Sequence, residues 1–131
     1  MADAANKKTI YAPFAGAVEI VENVYDFSED GGAVGDLDYF AFGESVLLLN
    51  AWIEVETTCT SSGSATVGLQ VGGNAMMTAV AVASLVAGSA FAITQTSGPR
   101  HSGTSDIGLE INVEALTAGK IKVKCLIAKL G

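Results

Sequence analysis

The chain has 131 residues, enough for one domain that buries about two thirds of its unfolded surface and needs neither metal nor disulfide to fold. Half of the residues are hydrophobic and only 16% are charged, with a formal net charge of −7. That balance argues against duplex or single-stranded nucleic acid as a partner, because neutralising phosphates takes clustered Lys and Arg. It also leaves little sequence for a well-solvated exterior, so part of the surface is expected to be covered by other subunits.

Residues Met1 to Lys8 are small and polar and are expected to form an arm, ordered only where something holds it. They lack the apolar segment of a signal peptide. No uninterrupted apolar run reaches about 18 residues, so no membrane span is expected and the protein reads as soluble, made in a cytoplasm. Thr9 to Phe14 is a short apolar piece whose Pro13 suits an edge or a docked extension better than a central strand. An arm reaching onto a neighbour and a frayed terminus both fit it. In the first case Thr9, Tyr11, Pro13 and Phe14 are candidate partner contacts. The chain is divided accordingly into an arm, residues 1–14, and a single domain, residues 15–131.

Ala17 to Phe27 is rich in Val, Ile and Tyr and reads as a strand. Ser28 to Gly32 is a turn signal with glycines able to take positive φ. Leu37 to Phe42 follows, with three aromatics, and Gly43 to Ser45 breaks the chain. Val46 to Thr58 is the longest apolar stretch that also alternates. Leu49, Ala51, Ile53, Val55 and Thr57 are expected on one face, and Asn50, Trp52, Glu54 and Glu56 on the other. The only tryptophan, Trp52, thus falls on the wet face between glutamates, which makes it a candidate contact for a covering partner.

Cys59 to Gly63 is a polar loop, and Ala65, Val67, Leu69 and Val71 then alternate with Thr66, Gly68 and Gln70, as in a half-buried strand. Ala75 to Ala87 holds no strand period and is expected as a short helical turn or an irregular crossover. Ala90 to Gln95 is a short strand. Thr96 to Ser105 is the most polar loop and holds the only arginine and the only histidine, Arg100 and His101. Ile107, Leu109, Ile111 and Val113 alternate, Ala115 to Gly119 turns the chain, and Ile121, Val123, Cys125 and Ile127 alternate with Lys122, Lys124 and Leu126. About seven or eight strands without a long helix imply an all-β fold, an antiparallel β-sandwich of jelly-roll type.

The charge is uneven. Ten acidic residues and no basic one lie between Glu19 and Glu56, whereas four lysines and no acid lie between Lys120 and Lys129. Two solvated faces explain this, as does complementarity between subunits. Cys59 and Cys125 have no spacing that demands pairing, and Cys125 reads as a small buried hydrophobe.

No catalytic constellation stands out. His101 with Ser102, Ser105 and Asp106 has the residue types of a hydrolytic site, but neighbours in one loop seldom assemble a triad. Asp26-Phe27-Ser28-Glu29-Asp30-Gly31 opens like a calcium loop, yet Leu37 stands where the bidentate glutamate belongs, so a polar turn is the simpler expectation. Gly31-Gly32 and Gly72-Gly73 lie between strands and do not open a phosphate-binding helix. Tyr25, Tyr39 and Trp52 could stack on sugars, although such aromatics are more often core or interface. No cofactor or metal is expected.

The stretch from Asn23 to Gly35, Asn-Val-Tyr-Asp-Phe-Ser-Glu-Asp-Gly-Gly-Ala-Val-Gly, resembles a phrase found in small virion proteins of tailed bacteriophages. An alternating strand with Glu54 and Glu56 follows, as it does there. Gly63 to Leu69 and Ala115 to Lys120 continue the resemblance in order and spacing, up to about Lys129. The resemblance implies a non-enzymatic structural protein of the phage head, of decoration, cement or head-fibre type, with a sandwich or jelly-roll fold. It implies the major capsid protein as partner, a homo-oligomer with a trimer favoured, and a place on the capsid surface. The family pattern carries no catalytic residues. A receptor- or glycan-binding module at the virion surface, or a small tail or baseplate protein, is the alternative.

Overall fold

The computed structural model describes residues 2–10, 18–42, 46–94, 100–101 and 106–129. In chain order the strands are β1 (Ala2–Ile10), β2 (Val18–Asp26), β3 (Gly35–Phe42), β4 (Val46–Ser61), β5 (Thr66–Val71), β6 (Asn74–Ala75), β7 (Val80–Ala81), β8 (Ala90–Ala92), β9 (Arg100–His101), β10 (Asp106–Asn112) and β11 (Leu116–Lys129). One helical turn, Phe27–Asp30, follows β2, and a 3₁₀ turn, Val82–Ser84, follows β7.

The antiparallel ladders nest. β2 pairs with β11, β3 with β10, β4 with β8, and β5 with β6. The chain is one long hairpin rolled up so that its outermost and inner pairs lie side by side. The result is two sheets, β1-β3-β10-β5-β6 with β7 also on β5, and β2-β11-β4-β8 with β9 also on β4. That is the jelly-roll sandwich expected from the strand pattern.

The alternation of the long strands fills the space between the sheets. Ala51, Ile53 and Val55 of β4 and Ile121, Val123, Cys125 and Ile127 of β11 are buried. Facing them are Phe40 of β3, Val67, Leu69 and Val71 of β5, and Ile107, Leu109 and Ile111 of β10. Each full burial of a large aliphatic side chain contributes roughly 1.5–3 kcal/mol, so these rows hold the sheets together.

Register shifts against β11 correct the expected faces of β4. Leu126 pairs with Asn50 but Ile127 pairs with Leu48, so Leu49 is the extra residue. Leu48 therefore turns inward at 4% exposure, and Leu49, expected inside, is 43% exposed. A further irregularity lies between the Lys120–Thr57 and Ile121–Val55 pairs. Past it Thr57 is exposed, and the next shift, between the Lys120–Thr57 and Ala118–Thr60 pairs, returns Cys59 to the buried side. A bulge shifts every later side chain to the other face, which local alternation does not reveal.

The segment expected as an arm is held. β1 pairs in parallel with β3, Asp3 opposite Asp38 and Lys8 opposite Phe40, with a register shift between. Ala4 is buried. Residues 75–87 are an irregular crossover: two short strands on β5 joined to the 3₁₀ turn.

Candidate docking surface

Trp52 lies on the outer face of the β2-β11-β4-β8 sheet, opposite the buried Ala51 and Ile53, and is half-buried. Its cross-strand neighbours are Lys124 on β11 and Ala92 on β8. The indole Nε1 donates to Glu54 Oε2 at 2.8 Å. Lys124 Nζ reaches the same carboxylate at 2.9 Å, closing a Trp–Glu–Lys cluster. The indole hydrogen bond, then Lys124, holds the Glu54 carboxyl below its ordinary value, and the bond to Glu54 raises the Lys124 ammonium. An open hollow of about 210 Å³ beside the cluster is lined by Glu54, Val55, Glu56 and Lys122. This charged rim is unlike the mostly apolar cleft of a small-molecule site.

Part of the uneven charge of the sequence is paired within the chain. β11 runs between β2 and β4, so its lysines stand between two acidic strands. Lys120 approaches Asp26 at 3.6 Å and Lys122 approaches Glu22 at 3.8 Å, while Lys124 holds Glu54. Each pair is partly exposed and screened by solvent, so its contribution to stability is small, but together they leave this face striped rather than of one sign. Toward the other end of the face, the rows Ile20–Leu126–Asn50 and Val18–Ala128–Leu47 are apolar apart from the asparagine. Val18 and Ile20 are 57% and 61% exposed.

The outer face of the other sheet is acidic. Asp36 lies directly opposite Glu110, and Asp38 sits one row away. Asp38 is buried and accepts from Gln70 Nε2 at 3.1 Å. Burial, then the nearby Asp106 charge, raises its carboxyl above the ordinary value, against the pull of Lys7. Lys7 pairs with Asp3 at 3.0 Å and with Asp106 at 3.4 Å, tying β1 to β10.

The expected partner contacts are not gathered in one place. Thr9 is exposed on β1, at the edge of the sheet opposite to that of Trp52. Tyr11, Pro13 and Phe14 lie outside the described residues. The apolar rows around Ile20 do not stand out in the sequence. Their signal was present, since Val18 and Ile20 alternate with Glu19 and Val21, but it does not say which set faces water.

Elsewhere, the calcium-like turn uses its acids on protein donors. Asp26 Oδ1 accepts from the Ser28 amide at 3.0 Å and from its hydroxyl at 2.8 Å, and Tyr39 donates to Asp30 Oδ2 at 2.7 Å. Among the described residues no group of three or more His, Cys, Asp or Glu is placed to hold a metal ion. Cys59 and Cys125 are both free and buried, and burial pushes the Cys59 thiol up to about 11. Among the described residues no helix is long and apolar enough to cross a membrane.

No protein-family model matches the sequence, and no curated protein matches it. Solved structures do share the fold. A chain from the capsid of Ralstonia phage GP4 superposes with a TM-score of 0.68 at 16% identity, covering 94% of this chain and 90% of that one. A chain from the acid-stable capsid of Helicobacter pylori bacteriophage KHP30 gives 0.62 at 10%, covering 90% and 92%. One from the capsid asymmetric unit of cyanophage Pam1 gives 0.60 at 15%, covering 93% of each. At such identities the likeness shows the fold: a jelly-roll sandwich of the kind present in phage capsids.

Proposed function

We propose that this chain is a non-enzymatic structural protein of a phage virion, a cement or decoration protein that binds the major capsid protein on the capsid surface and stabilises the head. The observation that carries the proposal is the fold, matched over nine tenths or more of this chain by chains of three phage capsids. The sequence resemblance to small virion proteins supports the same reading independently. A protein that binds the closed lattice but not a loosened one stabilises the closed form by mass action. Repetition over the lattice adds avidity, and more so for the homotrimer that the resemblance implies. Trp52 and the Thr9 to Phe14 segment belong to this proposal as capsid contacts. Synthesis is in the host cytoplasm, with assembly onto the particle afterwards.

The test compares heat-induced DNA release from particles with and without the protein. Release at a lower temperature without it is expected. Identical release temperatures would remove the stabilising role, and absence of the chain from purified particles by mass spectrometry would remove the virion role altogether.

A further inference from the structure

β2 is the edge strand of its sheet, and among the described residues only half of its free edge is covered. In an antiparallel ladder, alternate residues turn their backbone groups toward the same neighbour. Val24 and Glu22 turn theirs away from β11. Asn6 Nδ2 donates to Val24 O at 3.2 Å, Lys8 Nζ donates to Glu22 O at 2.9 Å, and Asn23 Oδ1 accepts from the Val24 amide at 2.8 Å. β1 thus caps one half of this edge with side chains. Ile20 continues the same alternation toward the other half, so its N–H and C=O also point outward. Ile20 lies four residues from Val24 in an unshifted ladder, and among the described residues neither group makes a bond outside that ladder. The same half carries the exposed Val18 and Ile20. An extended apolar edge with open backbone groups is a template for another strand.

We propose that the stretch Val18 to Glu22, open except where Lys8 Nζ takes one lone pair of the Glu22 carbonyl, pairs antiparallel with the same stretch of a second copy of this chain, about a two-fold axis at Ile20. Charge complementarity favours a second copy over a foreign strand. Lys8 stands at Glu22, two residues to one side of the axis, so in the paired edge it meets Val18 and Glu19 of the other copy. Among the described residues neither Lys8 nor Glu19 has an ion-pair partner within its own chain. The two-fold forms this Lys8–Glu19 contact twice. It sets each Glu22 opposite Val18 rather than opposite its own copy, and Glu22 keeps Lys122 at 3.8 Å. Ile20 packs against Ile20, and the two sheets become one. The contact goes beyond the virion proposal and does not depend on it.

The experiment uses the isolated full chain, with mass measured by analytical ultracentrifugation up to its highest soluble concentration. Ile20→Pro removes the outward N–H without removing a ladder bond to β11. Ile20→Lys serves the same purpose should the proline variant fail to fold. The wild type should reach twice the mass of the folded variant, whatever other oligomer either forms. Lys8→Glu and Glu19→Lys should each weaken the association severalfold, and combining them should restore it. Equal masses for wild type and folded variant would overturn the proposal. So would a double charge variant no tighter than the single ones, which would leave the edge to a strand of a different protein.

Discussion

The Trp52 indole donates to the Glu54 carboxylate two residues further along the same face of β4, at 2.8 Å, and Lys124 completes the cluster at 2.9 Å. The ring is therefore fixed in orientation while still half-open to solvent. A large, pre-ordered aromatic of this kind suits a docking contact, because little rotamer freedom is left to lose on binding. Trp52→Ala is expected to lower the stability of the isolated chain by about 1–2 kcal/mol, the share already buried. Its affinity for capsids should fall more, by about thirtyfold for a loss of about 2 kcal/mol. Denaturant unfolding and a capsid-binding titration check the two halves. A larger loss in stability than in binding would return Trp52 to a purely structural role.

Glu54 makes the same cluster sensitive to acid. Its carboxyl is held below the ordinary value, so the folded state binds its proton less readily than the unfolded chain. The stabilisation is fully present above about pH 4.3 and is lost as pH falls through the lower folded value. Because the side chain is partly exposed, the effect stays below about 1 kcal/mol. Unfolding of wild type and Glu54→Gln should differ at neutral pH and converge on acidification. A difference that does not change with pH would show that the carboxylate charge is not what Trp52 and Lys124 stabilise.

Gly108 is the gap through which two strands communicate. It lies between Asp38 on β3 and Gln70 on β5 in the ladder, and the two side chains meet across it. A Cβ at this position would collide with Gln70 Nε2 and stand 2.8 Å from both Asp38 Oδ1 and the Leu37 carbonyl oxygen. Gly108→Ala should cost about 2–4 kcal/mol through overpacking and a broken buried hydrogen bond. Asp38→Asn keeps the accepting oxygen and removes a buried charge. Since the Asp38 carboxyl is raised in the fold, its ionised form is the disfavoured one. The melting temperature of Asp38→Asn should exceed that of wild type at neutral pH. The gain should shrink as pH falls through the raised folded value toward the ordinary value of about 3.9. Thermal unfolding across pH checks both variants.

Asn23 fastens β1 to the sandwich. Its Nδ2 donates to Asn6 O at 2.7 Å and to Tyr39 O at 3.1 Å, while its Oδ1 takes the Val24 amide. The side chain is buried, so Asn23→Ala leaves polar backbone groups without partners, at a cost of about 2–4 kcal/mol. Hydrogen exchange should speed up first in residues 2–10, before β10 or β11. Uniform acceleration over all strands would mean that β1 is not separately tethered.

Alternation in Val67–Leu69–Val71, Ile107–Leu109–Ile111 and Ile121–Val123–Cys125–Ile127 is enough to name the core-facing rows of three strands, although it does not show that the other face of β5, with Gln70, is covered too. It also puts Trp52 on the outer face of a fourth, because side-chain direction along an unbroken strand has a period of two. The absence of long helical periods is enough to choose a sandwich. That much the sequence by itself determined. The tertiary structure alone decided that Leu48 and not Leu49 faces the core, because a bulge is set by the partner strand. It alone showed that the polar residues 2–10 form a strand, because β3, Asn23 and Asp106 hold them. It alone brought Lys120, Lys122 and Lys124 between the acids of β2 and β4, nearly the whole chain away from some of them. Register and strand neighbours are long-range properties, settled by which hydrogen-bond ladders close, and a local pattern of residues does not contain them.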